Sequence, residues 1–391
     1  MGAARAFGSR AARNGRDWRG FGKSLAVAAS APYLARMIFS FDAFVTDALF
    51  DRAGRAAFAL GDGTVRLRTD EGFVTVEAHS GPQMGGLGGG AVLAAAVHPS
   101  GLGIVTGGDD GRVVWSRIDQ GEVIATVIAE LKGKWIEHVA TSAASGLIAF
   151  TAGREVHVRD AADPAFARVF AHEKTVSGLA FEPKGRRLAS ATYGGAQLWY
   201  ARIADQKPTL LKWAGSHIAA AFSPDGKFLI SSMQENQLHG WRLSDGKDMR
   251  MGGYPAKIKS LAFFDKGNLL ATAGASGAVI WPFAGANGPM GKEAAEIGFS
   301  RDSMVVRVAG IDAQPVCLAG QDNGKIWAAH MRNGRIETLK AEKGAPISAL
   351  STSADGKFFA WGDENGEAGV LEIPDLSGPR QFAGGSHTPN F

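Results

Sequence analysis

The sequence predicts an all-β chain: a propeller of four-stranded antiparallel blades, eight of them with seven as the runner-up, closed into a ring by an N-terminal strand. Three observations predict it. One phrase recurs, as LAFEPKGRRLASATYGGAQLW (179–199), AFSPDGKFLISSMQENQLHGW (221–241) and LAFFDKGNLLATAGASGAVIW (261–281). Gly is abundant, 53 of 391 residues against 15 Pro, which favours many tight turns over long helices. The composition, 45% hydrophobic and 20% charged, is that of a globular chain able to bury a core.

The repeat is anchored by a turn glycine between two short apolar runs: Gly54, Gly101, Gly146, Gly185, Gly226, Gly267 and Gly356. A degenerate copy, VAGIDAQPVCLAG, lies between the last two with Gln314 in the glycine's place. The period is about 43 residues, the length of one blade. Within a copy, an alternating run such as IAAAF gives the first strand, and SPDG the turn, with Pro fixing φ and Gly accepting positive φ. The run KFLISS gives the second strand. Turns such as GDGT, DDGR, DNGK and ENGE then favour a tight hairpin into a third strand that ends in an aromatic residue. A weaker, more polar run, DMRMGG or RIETLKA, gives the fourth. The eighth copy has little after it to serve as a fourth strand, so ARMIFSF (35–41) is expected to supply it and close the ring.

The motif AFSPDGKFL…GW resembles the WD40 repeat over residues 37 to 375 or so, in period and in strand pattern. The family's third-strand tryptophan is matched by Trp115, Trp199, Trp241, Trp281 and Trp327, all expected between blades, although the Trp-Asp pair is never complete. The Gly-His pair is degraded to EAHSG (His79), FAHEKT (His172) and AGSHIA (His217). The departure bears on the family's Asp-His-Ser-Trp hydrogen-bond chain and leaves the propeller reading intact. The resemblance implies a non-catalytic, monomeric interaction scaffold with an unidentified protein partner. A narrower likeness to single-domain bacterial WD40 proteins, some encoded near metallochaperone GTPases, implies an accessory role in metal homeostasis as an alternative.

Three segments follow: residues 1–36 as a disordered basic extension, 37–375 as the propeller, and 376–391 as a tail. The extension carries seven cations against Asp17 alone, so a chain of net charge +4 has a slightly acidic body. The basic pI therefore belongs to the extension, and no nucleic-acid partner is expected. No stretch approaches the ~18–20 apolar residues of a membrane helix, so no membrane partner is expected either. The expected location is cytoplasmic; export is the alternative if SLAVAAS within residues 1–31 acts as a signal peptide, and Met37 is a candidate start.

The search for chemistry predicts no enzyme and no cofactor. The glycines of GGLGGGAVLAAAV precede a strand, the reverse of a dinucleotide fingerprint, and GANGPMGKEA lacks the first Gly and the Ser or Thr of a phosphate loop. The single Cys317 excludes an internal disulfide and reads as an inward-facing strand residue. No histidine pair has metal-ligand spacing; His79, His172 and His217 fall at one point of their copies and are expected at blade junctions. An enzyme or small-ligand binder using the channel mouth stands as the rival to the scaffold. The stretch 239–292 departs most from an ordinary blade, being rich in the aromatic, Met and Arg residues that anchor interfaces. From it, Arg242, Arg250, Tyr254, Pro282 and Lys292 form the expected partner patch, beside the loop AGANGPMG, too Gly-rich for a regular fourth strand.

Overall fold

The computed structural model describes residues 37–79, 90–341 and 343–378; the basic extension lies outside them. Every regular element in this span is a strand. The second copy is representative. Val92–Val97 forms the inner strand, followed outward by Ile104–Gly108, Arg112–Asp119 and Glu122–Glu130, each antiparallel to the last. The seven anchoring glycines have φ between 67° and 83°, the left-handed region that a side chain disfavours and the turn requires.

Continuous hydrogen bonding makes seven sheets, the runner-up number: six of four strands and one of six. The six-stranded sheet holds two copies, the fourth and fifth. Its strand Arg187–Tyr200 spans the second and third runs of the fourth copy, and Thr209–Phe222 spans that copy's outer run and the next copy's inner run. The first of these doubles back on itself, because Ser190 Oγ donates to the carbonyl of Gln197 at 3.4 Å. The equivalent hairpin bond in other copies runs from Thr106 to Val114, Ser231 to His239 and Thr272 to Val279. Tyr193, at the turn, also pairs with Ser216, which carries one sheet into the next.

The core lies between copies. Eight apolar clusters occupy the eight junctions among the described residues, the last joining Ala360 and Val370 of the eighth copy to Val45 and Phe58 of the first. Each sheet has two apolar faces and can bury them only against its neighbours. Inner strands are stitched around the ring by hydroxyls: Thr46 Oγ1 donates to the Val92 carbonyl (3.1 Å), Thr141 to Val97 (2.7 Å), Thr352 to Gly310 (2.8 Å) and Ser348 Oγ to Val45 (2.6 Å).

Closure follows the expected route. Met37–Ser40 pairs antiparallel with Glu367–Glu372, with Phe39 opposite Ala368. Phe39 and Phe41 then pack on Phe73, at centroid distances of 4.6 and 5.6 Å. At the other end the chain stays packed just past residue 375. Leu376 is buried with the cluster between the seventh and eighth copies, and Asn333 Nδ2 donates to its carbonyl at 2.8 Å.

Candidate functional site

Hydrogen-bond chains at the copy junctions are the frame on which any site is built. In the fourth copy His172 Nε2 shares a hydrogen bond with Ser190 Oγ (2.7 Å), and Trp199 Nε1 lies 3.3 Å from both. In the second, His79 shares one with Thr106 Oγ1 (2.8 Å) and another with Asp110 (3.0 Å). In the fifth, His217 bonds Ser231 Oγ at 2.7 Å. Burial holds the pKa of all three histidines below its ordinary value, so each sits in the junction as a neutral ring.

The sixth copy uses a different residue for the same task. Trp281 Nε1 donates to Tyr254 Oη (2.7 Å), which bonds Thr272 Oγ1 (2.7 Å), which donates to the Val279 carbonyl (3.1 Å). Tyr254 thus stands where the other copies have His. It is buried at 8% exposure, and burial raises its phenol pKa to about 12. Its place in the expected patch is that of a core residue whose ring edge reaches a cavity.

That cavity, about 370 Å³, is lined by Gly252, Gly253, Tyr254, Val279, Trp281, Lys292, Glu293 and Ala294. It exists because the outer strand of the sixth copy is only Ala295–Ile297, whereas the third strand is Ala278–Pro282. The outer strand pairs with residues 278–280, leaving Trp281 and Pro282 without an outer neighbour. The loop 283–294 fills the remaining path, and its glycines give no regular strand.

Of the expected patch, Tyr254 and Lys292 therefore meet at one cavity, and Pro282 ends the strand beside it. Lys292 is exposed, its Nζ donating to the Ala284 carbonyl at 2.7 Å. Arg242 lies away from the cavity. It makes a two-point pair with Asp245 (2.9 and 2.6 Å) and donates to Asn287 Oδ1 (2.6 Å), tying the loop to the fifth copy. The Arg242 hydrogen bond holds the Asp245 carboxyl at a pKa of about 2. Arg250 is exposed on the outer strand of the fifth copy, donating to Gln237 Oε1 (2.6 Å), while Met249 and Met251 on the opposite face are buried.

The tryptophans divide. Trp199, Trp241 and Trp327 are buried, and Trp281 is half-buried. Trp115 lies opposite Val105 while Thr106 lies opposite Val114, so this Trp and its Thr point to opposite faces of the sheet. Instead of joining His79, Trp115 stacks on His98 at 3.7 Å, with Arg117 3.8 Å from its centroid.

Two titratable groups lie on inner strands. Asp47 Oδ2 accepts the Ala95 N–H (3.1 Å); burial raises its pKa from 3.8 to about 6, against the opposing pull of that bond and of Arg307. Arg307 Nε donates to the Ser348 carbonyl at 2.6 Å. At the inner-strand turns a cavity of about 460 Å³ is lined by Arg52, Phe181 and Glu182 among others, and Glu182 is paired with Arg187 at 2.8 Å. Among the described residues no three His, Cys, Asp or Glu side chains are grouped so as to hold a metal ion. No described helix is long and apolar enough to cross a membrane.

Comparison with known proteins agrees with this geometry. A family model for the WD domain, G-beta repeat, matches residues 165–199, the outer strand of the third copy and the first three runs of the fourth. SEC12-like protein 2 of Arabidopsis thaliana is 26% identical over 165 residues, which cover 41% of this chain and 42% of that protein. The chain thus matches less than half the length of that relative. Among solved structures, the computationally designed Ika8 protein superposes with a TM-score of 0.66 at 18% identity, covering 85% of this chain and 98% of that one. U3-55K follows at 0.56 and 14%, covering 75% and 97%, and the RRP9 WD40 repeats at 0.54 and 14%, covering 75% and 96%. Identities this low show a shared fold. The repeat, the ring of sheets and the match of one repeat together show a β-propeller fold similar to that of WD40-repeat proteins.

Proposed function

We propose that this propeller is a non-catalytic interaction scaffold and that the sixth copy takes up an extended segment of a protein partner. One observation carries the reading: the third strand there outlasts its outer neighbour by Trp281 and Pro282, over a cavity of about 370 Å³. The uncovered edge offers one main-chain acceptor, the Pro282 carbonyl, beside the aromatic floor of Tyr254 and Trp281, so the side-chain pocket supplies most of the affinity and the single acceptor fixes the segment's direction. Lys292 and Glu293 at the rim would set the partner's charge pattern, and the ring holds the edge rigid.

A photo-crosslinking residue placed at Lys292 tests this, with the same residue at exposed Glu122, on the outer strand of the second copy, as the control. A partner joined at position 292 and not at 122, through one defined peptide, is the expected result. Equal labelling at both positions, or labelling at 122 alone, would place the binding face elsewhere.

A further inference from the structure

The seventh copy keeps its tryptophan and has lost both side chains that should satisfy it. Trp327 lies opposite Ala319, so the residue two further along that strand, Gln321, occupies the place of Thr272 in the sixth copy, where Trp281 lies opposite Leu270. Phe299 follows Gly298 as Tyr254 follows Gly253, and so occupies the place of the bridging Tyr or His. Phe299 cannot bridge: it has no polar atom and is 65% exposed. Both Trp327 Nε1 and Gln321 Oε1 are consequently buried without a hydrogen-bond partner, in residues only 2% and 1% exposed. Both line a cavity of about 200 Å³, together with Gly298, Phe299, Ser300, Lys325, Ile336 and Thr338.

Such a pair is costly to leave as it is, because each buried polar group without a partner forfeits its hydration. Closeness is enforced as well: at Gly298 (φ 69°) a Cβ would lie 2.5 Å from Trp327 Cζ2, so the loop crosses directly over the indole. The cavity thus has an indole donor, an amide acceptor, apolar sides from Phe299 and Ile336, and Lys325, Ser300 and Thr338 in its lining.

We propose that this cavity binds a carboxamide, carried by a segment of another protein, which stands in for the missing Tyr or His. Its carbonyl accepts from Trp327 Nε1 and its N–H donates to Gln321 Oε1. A carboxylate could pair with Lys325 but has no N–H to give the Gln321 carbonyl; an aliphatic group would leave both protein atoms unpaired. The site is separate from the strand edge of the sixth copy and does not rest on that reading.

The test uses the full chain labelled with ¹⁵N at tryptophan indoles, with the Trp327 resonance assigned by its loss in Trp327→Phe. Four probes are titrated: the acetyl, N-methylamide derivatives of asparagine, aspartate, leucine and serine. A saturable shift of the Trp327 indole with the asparagine probe, at least about tenfold weaker with the other three, identifies a side-chain carboxamide. Equal saturable binding of all four identifies a main-chain amide, which they share, as the source of the same chemistry. Gln321→Leu should weaken binding about tenfold while melting within a few degrees of the parent, since Gln321 Oε1 has no partner to lose. Gln321→Met, of similar length, serves if the leucine variant misfolds. No saturable shift with any probe, tighter binding of the aspartate or serine probe than of the asparagine one, or undiminished binding by the Gln321 variants would overturn the proposal.

Discussion

Replacing Tyr254 by Phe removes one oxygen atom and should cost about 2–3 kcal/mol. The chain of donors is directional: Thr272 Oγ1 gives its proton to the Val279 carbonyl, so Tyr254 Oη donates to Thr272 and accepts from Trp281 Nε1. The substitution removes two hydrogen bonds of roughly 1 kcal/mol each and strands the indole donor as well. In a chain of this size that is a fall in melting temperature of about 3–4 °C. The ring stays in place because Phe keeps its apolar contacts in the cluster with Phe228, Leu270 and Phe283. Tyr254→His restores the residue type of the fourth and fifth copies and should recover part of the loss. There is also a pH signature. Burial holds the folded phenol at a pKa of about 12 against an ordinary 10, so between pH 10 and 12 the unfolded chain ionises while the native one does not. Stability of the parent therefore falls as pH rises through that window, a slope that Tyr254→Phe reduces, the part that remains including that of the buried Cys317 thiol, which burial also pushes up to about 12. Calorimetric melts of the three proteins from pH 7 to 11 decide the matter. If Tyr254→Phe melts within a degree of the parent at pH 7, or if His is no better than Phe, the bonded chain contributes nothing and the reasoning fails.

Closure makes a sharper contrast: deleting residues 1–41 removes the strand opposite Val370, Gly369 and Ala368 and two phenylalanines, whereas deleting 1–34 leaves all of them. The longer deletion should lose several kcal/mol, from ~1 kcal/mol per hydrogen bond and more per ring; equal melting temperatures would refute the closing role. Trp199→Ala should cost about 3–5 kcal/mol, since Trp199 is buried against Phe170 at 4.7 Å, and half-buried Trp115→Ala should cost less. The reverse order in chemical denaturation would contradict the assigned faces. Asp47 keeps its proton up to a pKa of about 6 when folded and up to 3.8 when unfolded, so stability falls as pH rises from about 4 to 6 and stays lowered above it. Asp47→Asn should accordingly be more stable at pH 7.5, by up to roughly 3 kcal/mol, with the gap closing towards pH 4; a gap that does not change with pH would show that the carboxyl is not strained.

The repeat was legible because its turn chemistry is local. A glycine at positive φ between two apolar runs needs no tertiary context, and all seven anchors have it. The edge-closing strand was legible from arithmetic alone, as a copy short of one strand and a strand short of one copy. The face of each tryptophan was not. Thr106 to Trp115 and Thr272 to Trp281 have the same spacing, yet their strands pair in registers one residue apart, and that shift reverses a side chain. Fusion of the fourth and fifth copies was equally hidden, since it depends on Tyr193 meeting Ser216 across a turn. Tyr254 had a readable signal that was missed. Gly-Gly-Tyr falls where Gly-Ser-His falls one copy earlier, which marks a junction residue, whereas residue type alone suggested an exposed anchor. The short outer strand was readable too, because the glycines of the loop before Lys292 do forgo a strand and so uncover the edge beside Trp281.

The eight junctions solve one problem in several ways, and the differences indicate where the ring departs from pure packing. A buried indole N–H must be given an acceptor, and the fourth and sixth copies supply it through His172 or Tyr254. The first copy avoids the need with Phe58 and Leu67, which bring no polar atom into the junction. The eighth buries the Trp361 indole without a partner on its second strand, and the seventh keeps the third-strand indole, substitutes both partners, and leaves donor and acceptor facing a cavity. Apolar substitution at Trp327 would have removed the cost, as it does in the first copy. A ring of eight cooperating interfaces can carry one junction that is poorer by ~1–3 kcal/mol, and departures from local consistency concentrate where a protein binds something. The seventh junction is that kind of departure.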